Sequence, residues 1–243
     1  WRLTPSQMSK VIEASLPGSY TDISSELSVA EGNRRYGFNN VSDTLLVQGK
    51  LVESLNEIFS RIAARAVSRS AGLFFDCPTP RNPSMACVTQ AVSRILPKLF
   101  RRAVAPEEIE RYLNLGLAID NVGTTPEAVS GIIEAMLRSP DFLFRVEKPD
   151  DSGSLAEFEL ASALAFTLTN SSPDNTLFAS AQSGALKNKD EYNKQVDRIL
   201  DSEDVDNMLV DFVTSWTGVS DLKDAFKDAP EFNDSLKNTM AKE

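Results

Sequence analysis

The 243-residue sequence predicts an all-α fold: two packed helical bundles, about ten helices in all, and essentially no sheet. Three observations support that expectation. Apolar residues recur at helical spacing along most of the chain. No stretch sustains strict alternation, and no Asn-Gly turn separates apolar runs as in a hairpin. Capping residues followed by proline or acid mark one helix start after another.

In chain order, Thr4-Pro5 opens the first helix, with Thr4 as N-cap and Met8, Val11 and Ile12 inward, and Pro17-Gly18 stops it. Residues 19–40 are polar and broken by Gly32 and Gly37, a connection long enough to be either functional or tied to something outside the chain. A long helix is expected over 43–70, carrying Leu45, Leu51, Leu55, Ile58, Phe59 and Ile62, with Gly72 ending it. Arg61, Arg65 and Arg69 form a basic stripe on it, read as a solvated or paired face. Met85 to Arg102 reads as a helix with Pro97 inside, which predicts a kink or break near Arg94. Pro106-Glu107-Glu108 and Thr125-Pro126-Glu127 open two more, the second ending at Arg138.

Ser139-Pro140 then ends the helical pattern and turns the chain, so Phe142, Leu143 and Phe144 should be buried. Residues 148–153 read as a linker. Ser154 and Glu157 form the expected capping box of the next helix, which carries Phe158, Leu164 and Leu168. Ser172-Pro173-Asp174 caps another, ending at Gly184. Residues 189–200, 203–217 and 230–242 complete the chain, with Trp216 expected to plug the core of this half. The domain reading is 1–147, itself two units (1–72 and 73–147), followed by 148–243.

Charge separates the same halves. Residues 1–147 hold 16 basic and 16 acidic residues, whereas 148–243 hold 9 basic and 19 acidic, so the whole excess of −10 lies in the second half. A phosphate backbone would be repelled by that half, so nucleic acid is not an expected partner. No apolar run approaches the roughly 18–20 residues that span a bilayer. The chain starts and stops in mid-pattern, which suggests a portion of a longer polypeptide.

Histidine is absent. That removes the commonest general base, metal ligand and haem ligand, and with them any Ser-His-Asp or Cys-His centre within the chain. The acidic clusters Asp150-Asp151, Asp201 to Asp206 and Asp221 to Asp228 lack calcium-loop spacing and read as helix caps. No phosphate loop, dinucleotide fingerprint, nucleophile elbow or haem attachment motif occurs. No catalytic, cofactor-binding or metal residue is therefore assigned, and no cofactor. Asn40, Asn170 and Asn233 meet the glycosylation pattern without further support.

Cys77 and Cys87 flank a proline-rich loop. Their spacing fits no zinc pattern but fits a local disulfide, which would stabilise by roughly 2–3 kcal/mol. Unpaired thiols are the alternative. A disulfide implies an oxidising compartment: periplasm, cell surface or outside.

Several segments, taken together, resemble a known group. Arg2-Leu3-Thr4-Pro5-Ser6-Gln7 with Gly37-Phe38-Asn39-Asn40 resembles an opening domain. Leu96-Pro97-Lys98-Leu99-Phe100-Arg101-Arg102, Pro106-Glu107-Glu108 and the run from Leu137 to Glu147 resemble a middle one. Glu159 to Phe166, Ser172-Pro173-Asp174, Gly184-Ala185-Leu186, Gln195 to Leu200 and Asp211 to Trp216 resemble the next. The group is the PSD-type, multidomain secreted proteins of unknown function found in planctomycetes and myxobacteria, often with an upstream cytochrome c-like domain. Ala105 stands where a capping Thr or Ser is usual, and Thr169-Asn170 where an aromatic is common.

The resemblance implies an extracytoplasmic location and supplies no catalytic residue. The leading expectation is a non-catalytic scaffold or interaction module in an assembly of protein chains. Its partners would be cytochrome c-like or a further part of the same polypeptide. The alternatives are an accessory of electron transfer whose haem lies elsewhere, and a carboxylate- or metal-dependent hydrolase.

Overall fold

The computed structural model describes residues 1–16, 38, 40–41, 45–47, 49–69, 75, 83–147, 149, 151–219 and 233–240. Among these residues there are eleven helices and no strand, which is the all-α fold the periodicity predicts. Two isolated antiparallel bridges pair Arg2 with Phe144 and Pro149 with Leu155.

Helix α1 (Pro5–Ser15) starts where Thr4 predicts. The Thr4 hydroxyl accepts from the Gln7 N–H at 3.2 Å, and the Gln7 side chain accepts from the Thr4 N–H at 3.0 Å, a reciprocal cap. The expected helix over 43–70 is shorter: α2 spans Gly49–Arg69. Leu45, Leu46 and Val47 precede it in non-helical backbone. The Leu45 carbonyl accepts from Arg2 Nε at 3.4 Å rather than from a helical N–H, and Gly49 offers little helical propensity upstream. Gly72 and Cys77 lie outside the described residues. So do the side chain of Arg69, most of 17–44, Asp150 and 221–228. Arg61 sits 4.0 Å from Glu57, an exposed pair one turn apart.

Helix α3 (Met85–Phe100) runs unbroken through Pro97, so of the kink or break expected near Arg94 the break does not occur. The N–H that proline lacks would have served the Ser93 carbonyl, and Ser93 is exposed, so that carbonyl is open to solvent and the loss costs little. Helices α4 (Pro106–Asp120) and α5 (Pro126–Arg138) begin as read from the sequence, and α5 also ends where expected. They approach closely because Gly116 faces Ile132, where a Cβ would come within 2.7 Å of Cδ1. A single turn, α6 (Pro140–Leu143), follows. Phe142 in it is completely buried and meets Phe59 of α2 edge-on at 5.8 Å. Leu143 and Phe144 are only half-buried, since their backbone is engaged with the N-terminal segment.

Helix α7 (Glu157–Thr169) starts two residues later than its expected capping box. The bridge from Leu155 to Pro149 holds that stretch extended, and Glu159, not Glu157, accepts from the N-cap N–H, that of Ala156, at 3.3 Å. Glu157 instead accepts from the Lys187 N–H at 3.3 Å. Around α7 pack α8 (Asn175–Gln182), α9 (Lys189–Leu200) and α10 (Glu203–Thr217), while α11 (Asp234–Met240) ends the described chain. Glu203, Asp204 and Asp206 occupy the first turn of α10, as expected of caps. Trp216 is not a core plug: it is 68 % exposed.

Two apolar clusters result. One gathers α1, α2, α3, α5 and α6, with Phe166 reaching into it from α7; the other is built on α7 to α10.

Candidate functional site

The densest charge chemistry surrounds the turn from Ser139 to Arg145. Three arginines meet it, and each is positioned by a different local feature. Arg101 ends α3 in the left-handed region at φ 57°. A non-glycine side chain there carries a conformational cost. Its guanidinium nonetheless donates to four carbonyls: Leu99 at 2.7 Å, Asp141 at 2.7 Å, Phe142 at 3.2 Å and Phe144 at 3.0 Å. It thus closes the C-terminal end of α6, whose carbonyls have no helical partner. Burial, then the nearby Arg145, against the opposing pull of Asp141, press its pKa down to about 10, so it stays charged at neutral pH.

Arg102 turns outward from the same helix end. It grips Glu108 in a two-pronged pair at 2.9 and 2.8 Å and reaches Asp141 at 3.1 Å. Glu108 also accepts from the Ala105 N–H at 3.2 Å, supplying the cap that Ala105 cannot. Its carboxyl is held down to about 2, first by the Arg102 hydrogen bonds and against the effect of burial.

Arg145 lies between the rings of Trp1, 4.9 Å away, and Phe166, 5.2 Å away, and pairs with Glu147 at 2.9 Å. Beside it the chain start pairs with this turn. The Leu3 N–H donates to Leu143 at 2.8 Å, the Arg145 N–H to Trp1 at 2.9 Å, and the Trp1 nitrogen to Arg145 at 2.9 Å. Gln7 and Lys10 of α1 donate to Asn170 and Thr169 at 2.8 and 3.0 Å, joining α1 to the end of α7. Asn170 adopts the left-handed cap of that helix, a conformation asparagine tolerates better than an aromatic does.

These arginines went unassigned in the sequence, although one signal was there. Arg145 is a single charge set between Phe144 and Val146, and such a charge is either paired inside or costly. Of the candidate pair of cysteines, Cys87 is buried in the first turn of α3, while Cys77 is outside the described residues. Among the described residues, no three of His, Cys, Asp or Glu are grouped so as to hold a metal ion. No helix among them is long and apolar enough to cross a membrane.

The turn and its arginines fall within one matched stretch. Residues 87–147 match the model described as PSD5, protein of unknown function (DUF1595). Residues 155–243 match PSD4, protein of unknown function (DUF1592). The chain is similar to two families of unknown function. Arg101, Arg102, Asp141 and Arg145 all belong to the PSD5-like stretch, and the exposed face of α10 belongs to the PSD4-like one. No curated protein and no solved structure matches the chain.

Two outcomes test the site as a structural lock. Replacing Arg101 with Met should destabilise by about 3 kcal/mol or more, because four carbonyls lose a charged donor. Replacement with Lys should recover only part of that, as read by urea unfolding. Glu108 has a folded-state pKa below its unfolded value, so its contribution is complete above about 4.5 and is lost as pH falls through about 2. Glu108→Gln should therefore cost about 1 kcal/mol at neutral pH. The gap from the parent should close as pH drops across that window.

Proposed function

We propose that the chain is a non-catalytic helical interaction module of a secreted or periplasmic assembly, forming part of a longer polypeptide. The observation that carries this reading is one face of α10. Leu209, Val210, Phe212, Val213 and Trp216 are between 47 % and 68 % exposed, while Val205 is the helix's one fully buried residue. A helix in a bundle ordinarily turns such a stripe inward. Each of these side chains would gain roughly 1.5–3 kcal/mol on full burial, and contiguous patches of this kind mark contact surfaces. The arginines near Ser139–Arg145 support the same reading from the other side: their hydrogen bonds go to backbone carbonyls and neighbouring carboxylates and hold the fold together.

The two matched stretches and the two apolar clusters support a division into helical units near residue 148, with the acidic second unit bearing the contact face. An oxidising compartment follows from pairing Cys77 with Cys87. Protein isolated without reductant and unfolded under thiol-blocking conditions should then show no free thiol, whereas two titratable thiols would contradict it.

The contact face is tested by Val210→Asp combined with Val213→Asp. Both positions are exposed, so helix content and melting should persist. Cross-linking from a photoreactive residue at Leu209 to neighbouring chains in the native assembly should be lost. Unchanged cross-linking, or substrate turnover by the isolated chain, would contradict the proposal.

A further inference from the structure

Leu209, Val210, Val213 and Trp216 lie at helical spacing on one outward side of α10, and exposed Asp206 stands on that side one turn before Val210. Phe212 is set apart from them, since its ring already stacks on Phe38 at 5.5 Å. The geometry points to a cationic amphipathic helix of a partner protein as the occupant of this stripe. The inference rests on the contact-face reading above and adds the chemistry of what covers that face.

Charge is the first argument. No lysine or arginine occurs between Arg198 and Lys223. Within that interval α10 carries Glu203, Asp204, Asp206 and Asp211, all exposed. Among the described residues none of these four forms an ion pair, whereas Lys194 and Arg198 of the adjoining α9 are engaged by Glu191 and Asp174. Attraction to the helix start accounts for acids in the first turn, but it acts equally on every side of a helix. It gives no reason for Asp206 to head the apolar stripe, three and four residues before Leu209 and Val210. Whatever buries the stripe also dries that carboxylate, and a carboxylate losing water needs a cation beside it.

Shape and sign together select the partner. The apolar anchors form a straight stripe about two turns long, the footprint that a second helix covers by packing ridges into grooves. An anionic lipid surface or a nucleic acid would be repelled by the four unpaired carboxylates. A second copy of this face would bring the same acids and no cation. A helix with apolar residues on one side and lysine or arginine one turn beyond them answers both the stripe and Asp206.

The probes are three fluorescent synthetic peptides of about 18 residues, read by anisotropy against the whole chain. Two share one leucine-rich helical face and carry either lysines or glutamates around it; the third has the lysine composition with its leucines scattered. The lysine helix should bind at least about tenfold more tightly than either of the others, the gap to the glutamate form narrowing as salt rises. Asp206→Lys should narrow or reverse the preference for lysine in a chain that still melts cooperatively, and Asp206→Asn serves if that variant unfolds. Val210→Asp with Val213→Asp should abolish binding. Equal binding by the lysine and glutamate helices overturns the cationic assignment and leaves the contact face standing. Lysine-helix binding that survives the paired aspartates overturns both readings, because the contact then lies elsewhere. No binding up to about 1 mM overturns the inference, with the contact face still judged by its own cross-linking. A dimer of the chain that the paired aspartates dissolve also overturns it, since a second copy would then be the occupant.

Discussion

Four backbone carbonyls converge on the guanidinium of Arg101, and the geometry of the turn from Ser139 to Arg145 depends on that convergence. A proline after Ser139 ends α5 and forces a one-turn helix, whose C-terminal carbonyls would otherwise face an apolar interior without partners. One charged side chain at the end of α3 answers several of them at once. That explains why an arginine occupies a left-handed position where glycine would be easier on the backbone. With the turn fixed, Phe142 is driven against Phe59, and the extended backbone from Leu143 to Arg145 is presented to the start of the chain. Arg145 then continues across to Phe166, so a single short segment touches the start of the chain, the core and α7.

Most helix positions were legible because they are local. Thr4, Ser84, Thr125, Asp174 and Asn188 each cap a helix with their own side chains. Those effects need no knowledge of the rest of the fold. The misreadings share a different cause. The start of α2 moved because the Leu45 carbonyl is taken by Arg2, 43 residues away. The start of α7 moved because Leu155 pairs with Pro149, leaving a second acid at the correct spacing to serve as cap. Pro97 failed to break α3 because the carbonyl it leaves unpaired belongs to an exposed residue. In each case a tertiary partner, or its solvent equivalent, decided between alternatives that the local pattern allowed equally.

The site was harder to read for the same reason. A sequence shows that Arg145 stands between apolar neighbours, but not that two aromatic rings await it, nor that carbonyls of a later turn await Arg101. Trp216 misled in the opposite direction. A large aromatic at the end of an amphipathic helix is expected inside, yet α10 keeps most of its apolar stripe outward. The chain thus commits its buried charges to holding its own shape while leaving apolar surface on an acidic half unspent. That division of labour sets the arginine lock beside the outward apolar stripe of α10.

Native-state hydrogen exchange at the amides of Leu3, Phe144 and Arg145 tests the central claim most directly. If the Arg101-held turn is the keystone, these amides exchange only through global unfolding, with protection equal to that of the slowest amides in α3 and α5, although they lie outside any helix. Exchange at the rate of an ordinary surface connection, while α3 and α5 stay protected, would show that the turn opens on its own and that the fold does not depend on it.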